Sequence, residues 1–303
     1  MNKRKHLVVL AGPTAVGKTE LAIFLAQKLG GDIISADSRQ FYRQMDIGTA
    51  KPDKVQLRMV RHHFVDFLDV GIMFSAGRFE AAVMELLGRL HAEGDVAIMA
   101  GGSGLYMDAV CRGLNDMPDV PAGTREALYS ELAAGGIAPL VAELLVKDPE
   151  YADRVDLNNQ QRVIRALEVC RATGRPYSDF RSDERVTRPF ECVKVGIERP
   201  RDELRERIDR RVDAMIGRGL FEEAASLCHL RDFNALKTVG YREIFGFMEG
   251  YYDREEAVRL LKRNTWRYAR RQLTWFKRDA DMVWFHPDDR EDILKHIVHE
   301  IEV

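Results

Sequence analysis

The sequence lacks several features that would define a protein class at once. Although 46% of its 303 residues are hydrophobic, no stretch approaches the roughly 20 consecutive apolar residues that a membrane-spanning helix needs. The N-terminal segment MNKRKH leads directly into an apolar run, so we expect no signal peptide and a cytoplasmic protein. There is no internal repeat and no low-complexity tract. A chain of this size can bury a large core, as one domain with an elaboration or as two domains.

Cysteine is scarce and carries no metal-binding pattern. The four cysteines are Cys111, Cys170, Cys192 and Cys228, and they form no CxxC pair. We therefore expect buried or incidental thiols and neither a zinc site nor a disulfide framework. Two histidine pairs, His62 with His63 and His296 with His299, are interpreted as structural or surface residues. The formal net charge of −2 gives no indication of nucleic-acid binding by itself.

One glycine-rich segment, GPTAVGKT at residues 12–19, has the pattern of a phosphate-binding loop. It follows the apolar run LVVLA, which predicts a buried parallel strand at residues 7–11, and it precedes a helical pattern that ends at Gly30. Loop amides and the helix N-terminus favour an anion, a lysine can reach terminal phosphates, and a threonine hydroxyl can bind Mg²⁺. The predicted phosphate-binding residues are Gly12, Pro13, Thr14, Ala15, Val16, Gly17, Lys18 and Thr19.

Two further strands are predicted to end beside this loop. GDIISADSRQ at residues 31–40 supplies a strand over 33–36 that ends in Asp37 and Ser38, and VAIMAGGSG at 96–104 supplies another that ends in a glycine-rich turn. A helix over about 75–93 makes the crossover of a parallel sheet, which places ligands at the carboxyl ends of its strands. Asp37 could bind metal, act as a base on a nucleophile, or cap the next turn together with Ser38.

After Pro118 the sequence pattern changes from alternating strands and helices to helices without intervening strands. We predict an α/β fold with a P-loop NTPase-like parallel sheet, a helical insertion and a helical C-terminal region. The predicted domains are 1–117 for the first part of the core, 118–186 for the helical insertion, and 187–303 for core completion and the helical C-terminal region. Predicted elements are helices at 125–135, 137–147 and 158–173, a strand at 190–198, and helices from Arg201 onwards.

A long helix at residues 254–278 combines basic and aromatic side chains. Leu260, Leu261, Tyr268 and Trp275 can supply an apolar stripe, and acidic residues occur only at the start of the helix. A solvated charged face and a phosphate-binding face are both compatible with this pattern. Its basic residues are Arg259, Lys262, Arg263, Arg267, Arg270, Arg271, Lys277 and Arg278.

The residues leave more than one function open. A hydrolytic motor usually has an apolar strand that ends in a metal-binding acid, whereas the strand at 96–101 ends in Gly101, Gly102 and Ser103. A P-loop kinase of a small molecule or nucleoside remains an alternative. A non-catalytic GTPase or ATPase module is disfavoured, because no guanine-reading NKxD motif is present.

Six motifs in order along the chain resemble the bacterial tRNA dimethylallyltransferase family. They are GPTAVGKT, SADSRQFYRQMDIGTAKP from Ser35, AGGSGLYMDAV from Ala100, NNQQRVIRALEV from Asn158, LKTVGYREI from Leu236 and RYARRQLTWFKR from Arg267. The resemblance implies a Mg²⁺-dependent enzyme that moves the prenyl group of dimethylallyl diphosphate to the exocyclic amine of the adenosine 3′ of the anticodon. The loop would then hold the diphosphate of a prenyl donor, and we expect a monomer.

The resemblance also implies roles for individual residues. Asp37 matches the general base, Ser103 lies beside the target base, Arg211 lies near the diphosphate, and Thr19 is the Mg²⁺ ligand. An anticodon base must leave its stack to reach such a site, which requires positive charge along the RNA backbone. The implied tRNA contacts are Asp37, Ser38, Arg39, Gln40, Ser103, Arg125, Gln161, Arg162, Val163, Ile164, Arg165, Lys237, Thr238, Val239, Gly240, Tyr241, Arg242, Arg270, Arg271, Gln272, Thr274, Trp275 and Lys277.

Overall fold

The computed structural model describes residues 4–115, 117–121, 123–181 and 186–302. The chain forms two compact units, a larger one of Met1–Arg112 with Thr187–Val303 and a smaller one of Gly113–Val186. In the part of the chain that the structure describes, no helix has the length and apolar composition needed to cross a membrane.

The larger unit is built on a six-stranded parallel sheet. Its strands in chain order are β1 (His6–Ala11), β2 (Ile33–Ala36), β3 (His62–His63), β4 (Val96–Gly101), β5 (Glu191–Ile197) and β6 (Val283–Phe285). Their order across the sheet is β3-β2-β4-β1-β5-β6, and every neighbouring pair is parallel. The predicted parallel α/β sheet is therefore confirmed.

The helices cover both faces of the sheet and make up the smaller unit. In the larger unit they are α1 (Lys18–Leu29), α2 (Lys54–Met59), α3 (Ala76–Glu93) and α4 (Gly104–Arg112). The smaller unit contains α5 (Thr124–Gly135), α6 (Ala138–Lys147), α7 (Pro149–Arg154) and α8 (Gln160–Thr173). The larger unit resumes with α9 (Arg201–Gly217), α10 (Leu220–Ser226), α11 (Tyr241–Met248), α12 (Arg254–Phe276) and α13 (Arg290–Glu302).

Strand β1 shows why its sequence is a continuous apolar run. Leu7 and Val9 are buried in the hydrophobic cluster on one face of the sheet, whereas Val8 and Leu10 are buried in the cluster on the other face. A strand covered on both faces needs apolar side chains at every position. The loop that begins at Gly12 follows the last residue of β1 and therefore lies at the carboxyl edge of the sheet.

Two edge strands were missed by the sequence prediction. The pair of histidines interpreted as structural or surface residues forms β3, and β6 interrupts a C-terminal region that was predicted to be helical throughout. Strands of two or three residues are too short to show an alternating pattern, so their pairing with the neighbouring strand, not local periodicity, defines them.

Candidate active site

A cavity of about 450 Å³ opens at the carboxyl ends of β1, β2 and β4. The loop after β1, the loop after β2, the turn after β4 and one face each of α9 and α12 contribute to its wall. Residues lining this region include Thr14, Ala15, Gly17, Lys18, Thr19, Asp37, Gln40, Gly101, Gly102, Arg207, Arg210, Arg211 and Gln272. The structure thus brings the predicted phosphate loop, Asp37 and Arg211 to one site.

The phosphate loop has the backbone shape that its glycines allow. Gly17 has φ of 113°, a conformation that strongly favours glycine, and it precedes the first residue of α1. A Cβ atom at Gly12 would lie 2.6 Å from the carbonyl oxygen of Ile197, so no other residue fits there without movement. Pro13 and Val16 are buried and pack the loop against the core.

Lys18 is the ionisable residue of the phosphate loop. Its ammonium group donates hydrogen bonds to the carbonyl oxygens of Gly12 at 2.8 Å and Pro13 at 2.7 Å. The pKa of Lys18 is lowered to about 7, chiefly by burial and to a smaller extent by the charge of Arg211, while the negative charge of Asp37 opposes both effects. An anion bound in the loop would favour the charged form of this lysine.

Asp37 caps its own turn and also lines the cavity. One carboxylate oxygen, Oδ1, accepts a 3.0 Å hydrogen bond from the backbone N–H of Arg39, which is the turn-capping geometry. Within the described residues, the second oxygen has no hydrogen-bond partner, and Asp37 lines the cavity. Turn capping therefore leaves one oxygen available to a ligand.

Ser103 is joined to the loop that carries Asp37. The Ser103 hydroxyl oxygen accepts a 3.0 Å hydrogen bond from the backbone N–H of Ser38, and the Ser103 backbone N–H donates to the carbonyl of Ala36 at 3.1 Å. The turn after β4 and the loop after β2 are thereby held together beside the cavity.

Arginine side chains from α9, and from Arg199 just before it, lie at the phosphate loop and the cavity. Arg211 lines the cavity. Burial lowers the pKa of its guanidinium group, and the negative charge of Asp37 only partly opposes this effect. One turn earlier, Arg207 donates a 2.9 Å hydrogen bond to the carbonyl of Ala15, and Arg199 donates one of 2.9 Å to Val16. Arg199 and Arg207 were not predicted from the sequence, although the four-residue spacing of Arg207 and Arg211 indicates that these two share a helical face.

Most basic residues of helix α12 are exposed, which agrees with both interpretations of its charged pattern. Arg270, Arg271, Thr274 and Lys277 are exposed, and Lys277 forms a 2.8 Å ion pair with Glu198. The apolar stripe differs from the predicted one, because Leu260, Tyr268 and Trp275 are only partly buried. The fully packed positions are Ala257, Leu261, Ala269, Gln272 and Phe276.

Several predicted tRNA contacts are buried in the larger unit. Tyr241 is 0% exposed, and its hydroxyl donates a 2.6 Å hydrogen bond to Glu223. Gln272 is 6% exposed and is bonded within the site. Arg39 and Gln40 are half-buried. Arg39 donates a hydrogen bond to the backbone carbonyl of Asn234. Gln40 donates to the backbone carbonyls of Thr49 and Ala50. In the 237–242 segment, Lys237 and Arg242 are exposed, Thr238 and Val239 are partly exposed, and Gly240 is buried.

The smaller unit separates its predicted tRNA contacts in the same way. Gln161 and Arg162 are exposed on α8, whereas Val163 and Ile164 are buried in the core of this unit. Arg125 and Arg165 both donate hydrogen bonds to Glu168, which is 1% exposed. Although burial alone would raise it, these hydrogen bonds lower the pKa of Glu168. Both arginines therefore neutralise a buried carboxylate.

No cluster of three or more His, Cys, Asp or Glu residues able to hold a metal ion occurs in the described portions of the chain. A Mg²⁺ ion commonly keeps several water molecules and binds one or two protein groups together with substrate phosphates. The Thr19 hydroxyl at the start of α1 and the Asp37 carboxylate are among the oxygen groups that line the cavity, and both can bind such a shared ion. The donor set fits Mg²⁺ carried with a phosphate ligand.

A glycine-rich loop between β1 and α1, at the carboxyl edge of a parallel sheet, defines a P-loop α/β protein. A family model described as IPP transferase matches residues 40–279. The chain is 48% identical over 295 residues to tRNA dimethylallyltransferase 2 of Parabacteroides distasonis, covering 97% of this chain and 99% of that protein. The chain belongs to the IPP transferase family.

Solved structures agree with this assignment. A full-length tRNA isopentenylpyrophosphate transferase from Bacillus halodurans superposes with a TM-score of 0.73 at 36% identity, covering 99% of this chain and 97% of that one. A eukaryotic dimethylallyltransferase acting on tRNA superposes with a TM-score of 0.81 at 25% identity, covering 98% of this chain and 77% of that one. The similarity therefore includes the helical insertion as well as the sheet.

Proposed function

We propose that this protein transfers a dimethylallyl group from dimethylallyl diphosphate to the N6 amine of the adenosine 3′ of the anticodon in tRNA. The observation that carries the proposal is one cavity that combines a phosphate loop, a carboxylate with one free oxygen, and arginines from α9. Full-length similarity to tRNA dimethylallyltransferases supports the same activity.

The donor diphosphate is the ligand of the phosphate loop. Loop amides, Lys18 and Arg211 stabilise the negative charge that grows on the diphosphate as the allylic C–O bond breaks. Arg207 and Arg199 act on the loop itself, since each donates to one of its carbonyl oxygens. Bound Mg²⁺, with Thr19 as its protein ligand, supplies further neutralisation of the leaving group.

Asp37 is the proton acceptor of the transfer. The N6 nitrogen forms a bond to the allylic carbon, diphosphate leaves with the electrons of the C–O bond, and the amine loses a proton. The turn hydrogen bond from Arg39 fixes one oxygen of Asp37 and leaves the second for this proton. A carboxylate held in this way is a general base that needs no large movement.

Exposed basic residues on each unit make up the proposed RNA surface. On the larger unit they include Lys237, Arg242, Arg270, Arg271 and Lys277, and on the smaller unit they include Arg162, next to Gln161. Such residues grip phosphates while the target base leaves the anticodon stack. The buried positions Val163, Ile164 and Tyr241 support the fold beneath this surface. We propose that the enzyme acts as a cytoplasmic monomer.

Product mass tests the function directly. The purified protein is incubated with tRNA and Mg²⁺, and with either dimethylallyl diphosphate or ATP, and the intact RNA is then weighed. We expect a gain of one C₅H₈ unit per tRNA with the prenyl donor only. A phosphate gained from ATP would identify a kinase instead, and no gain with either donor would contradict both activities.

A further inference from the structure

Gln272 is a buried amide that contacts two parts of the donor site at once. It lies on α12, is 6% exposed and lines the cavity. Its Oε1 accepts a 2.9 Å hydrogen bond from the backbone N–H of Thr14, and its Nε2 donates one of 2.9 Å to the carbonyl of Gly102. One side chain thus joins the phosphate loop to the turn after β4.

The side chain of Gln272 packs closely against its neighbours. A Cβ atom at Gly102 would lie 2.2 Å from Nε2 of Gln272. One helical turn later, Trp275 packs on Gly104, where a Cβ atom would lie 2.3 Å from the indole Cδ1. The indole N–H of Trp275 donates a 2.8 Å hydrogen bond to Asp108. Helix α12 therefore fixes the turn at residues 101–104 from two successive turns of the helix.

That turn reaches the proposed general base through a short chain of contacts. Gln272 bonds Gly102, the adjacent Ser103 accepts from the backbone N–H of Ser38, and Ser38 follows Asp37. On its other side Gln272 bonds Thr14, four residues before Lys18. The Gln272 amide thus helps to position two loops. One is the phosphate loop, which binds the donor, and the other is the loop that carries Asp37.

We propose that Gln272 is a positioning residue, which sets the phosphate loop at the distance from Asp37 that transfer requires. The inference rests on the proposed prenyl transfer and replaces the predicted tRNA contact at this position. A neutral amide suits the place because it supplies both a donor and an acceptor without adding charge beside a diphosphate. Arg270, Arg271 and Thr274 face solvent on the same helix, so one element carries both the RNA surface and this contact.

The test compares Gln272→Met with the wild type and with Asn264→Leu in the full-length protein. Methionine keeps the length of the side chain and removes both hydrogen bonds. Asn264 is the matched control because it is a half-buried amide on α12 whose side chain donates a 2.7 Å hydrogen bond to Glu243, away from the donor site. Three quantities are measured: single-turnover prenylation at saturating substrates, affinity for Mg²⁺ diphosphate by calorimetry, and affinity for tRNA by gel shift.

We expect Gln272→Met to lower the single-turnover rate by about 10²-fold, the usual effect of misplacing reacting groups by about 1 Å. Its tRNA affinity should equal that of the wild type, and Asn264→Leu should keep the wild-type rate at a similar melting temperature. A normal rate in Gln272→Met, or a reduction confined to tRNA affinity, would overturn the inference.

An inactive wild type and a variant that fails to fold each have a separate interpretation. A wild-type protein that transfers no prenyl group refutes the proposed function by itself, whereas a failure of the positioning inference requires an active wild type. Should Gln272→Met fail to fold, Gln272→Glu is measured in the same way. Its carboxylate keeps the acceptor for Thr14 and sets an oxygen against the Gly102 carbonyl, so its rate should also fall, and a normal rate would overturn the inference.

Discussion

The backbone N–H of Ser38 and the hydroxyl of Ser103 are joined by a 3.0 Å hydrogen bond across 65 residues of sequence. This contact ties the carboxyl end of β2 to that of β4 and sets the direction in which the Asp37 loop leaves the sheet. Because Asp37 precedes Ser38 and caps its own turn, one oxygen of its carboxylate is fixed, and the second has no hydrogen-bond partner among the described residues of the cavity that Asp37 lines.

Asp37→Asn tests whether that second oxygen accepts a proton. Asparagine keeps the Oδ1 acceptor for the Arg39 N–H, so the turn should be retained. Single-turnover prenylation should fall by about 10²–10⁴, the usual contribution of a general base, with tRNA affinity unchanged. If Asp37 were chiefly a Mg²⁺ ligand, donor affinity would collapse and added Mg²⁺ would partly restore the rate. A rate near that of the wild type would leave Asp37 with the capping role alone.

Lys18→Ala and Thr19→Ala test whether the phosphate loop and the basic surface bind different molecules. Both changes should weaken use of the prenyl donor, because they remove a cation and an oxygen ligand from the diphosphate site. Affinity for tRNA by gel shift should stay near normal. Lys28→Ala, at the exposed far end of α1, is the control and should change neither quantity. An equal drop in tRNA affinity in the loop variants would contradict this separation.

The pKa of Lys18 gives a stability prediction with a definite sign. Its folded pKa is about 7, below the ordinary value of 10.5. Between these values the unfolded chain binds a proton at Lys18 that the folded chain does not, so the stability contribution of this residue rises as pH increases from about 7. Urea unfolding of the ligand-free wild type and of Lys18→Met at about pH 6.5, 8 and 9.5 measures the effect. The wild type should gain stability relative to Lys18→Met with rising pH, and a constant difference would refute the lowered pKa.

The exposed arginines of α12 are tested by the salt dependence of tRNA binding. Arg270→Ala and Arg271→Ala should each weaken binding and reduce the slope of log affinity against log salt by about 0.7–0.9 for every phosphate that the protein no longer neutralises. Arg259→Ala is the matched control, since Arg259 is an exposed arginine of the same helix whose guanidinium donates to Glu256 at 2.6 Å. A slope that is unchanged in all three variants would show that the two arginines are only solvated.

In the smaller unit, stability and RNA binding should depend on two different arginines, Arg125 and Arg162. Arg125→Ala leaves the buried Glu168 with fewer donors, so the free energy of unfolding should fall by about 1–3 kcal/mol. Arg162→Ala removes an exposed charge without an ion pair in the described part of this unit, so stability should be unchanged and tRNA affinity should fall. Urea unfolding and gel shift on the same two proteins provide the comparison. The reverse pattern would exchange the structural and RNA-binding roles.

The sequence alone was sufficient for the parts of this protein that depend on local periodicity and on turn chemistry. The run LVVLA predicted β1 because both faces of that strand are buried. Gly12 and Gly17 predicted the loop because Gly12 has no room for a Cβ atom and Gly17 has a positive φ. The helical spacing in α8 likewise placed Val163, Leu167 and Cys170 in the core. The resemblance to a known family supplied the chemistry that such patterns do not contain.

Only the tertiary structure decided which side chains at these positions meet. Arg125 and Glu168 are 43 residues apart, and Gln272 lies 258 residues from Thr14, so no local pattern could pair them. Sequence spacing marks which face of a helix a residue occupies, but the element packed against that face determines whether an arginine meets RNA or a buried carboxylate. The short strands β3 and β6 exist for the same reason, since backbone pairing with a neighbouring strand, and not their own two or three residues, creates them.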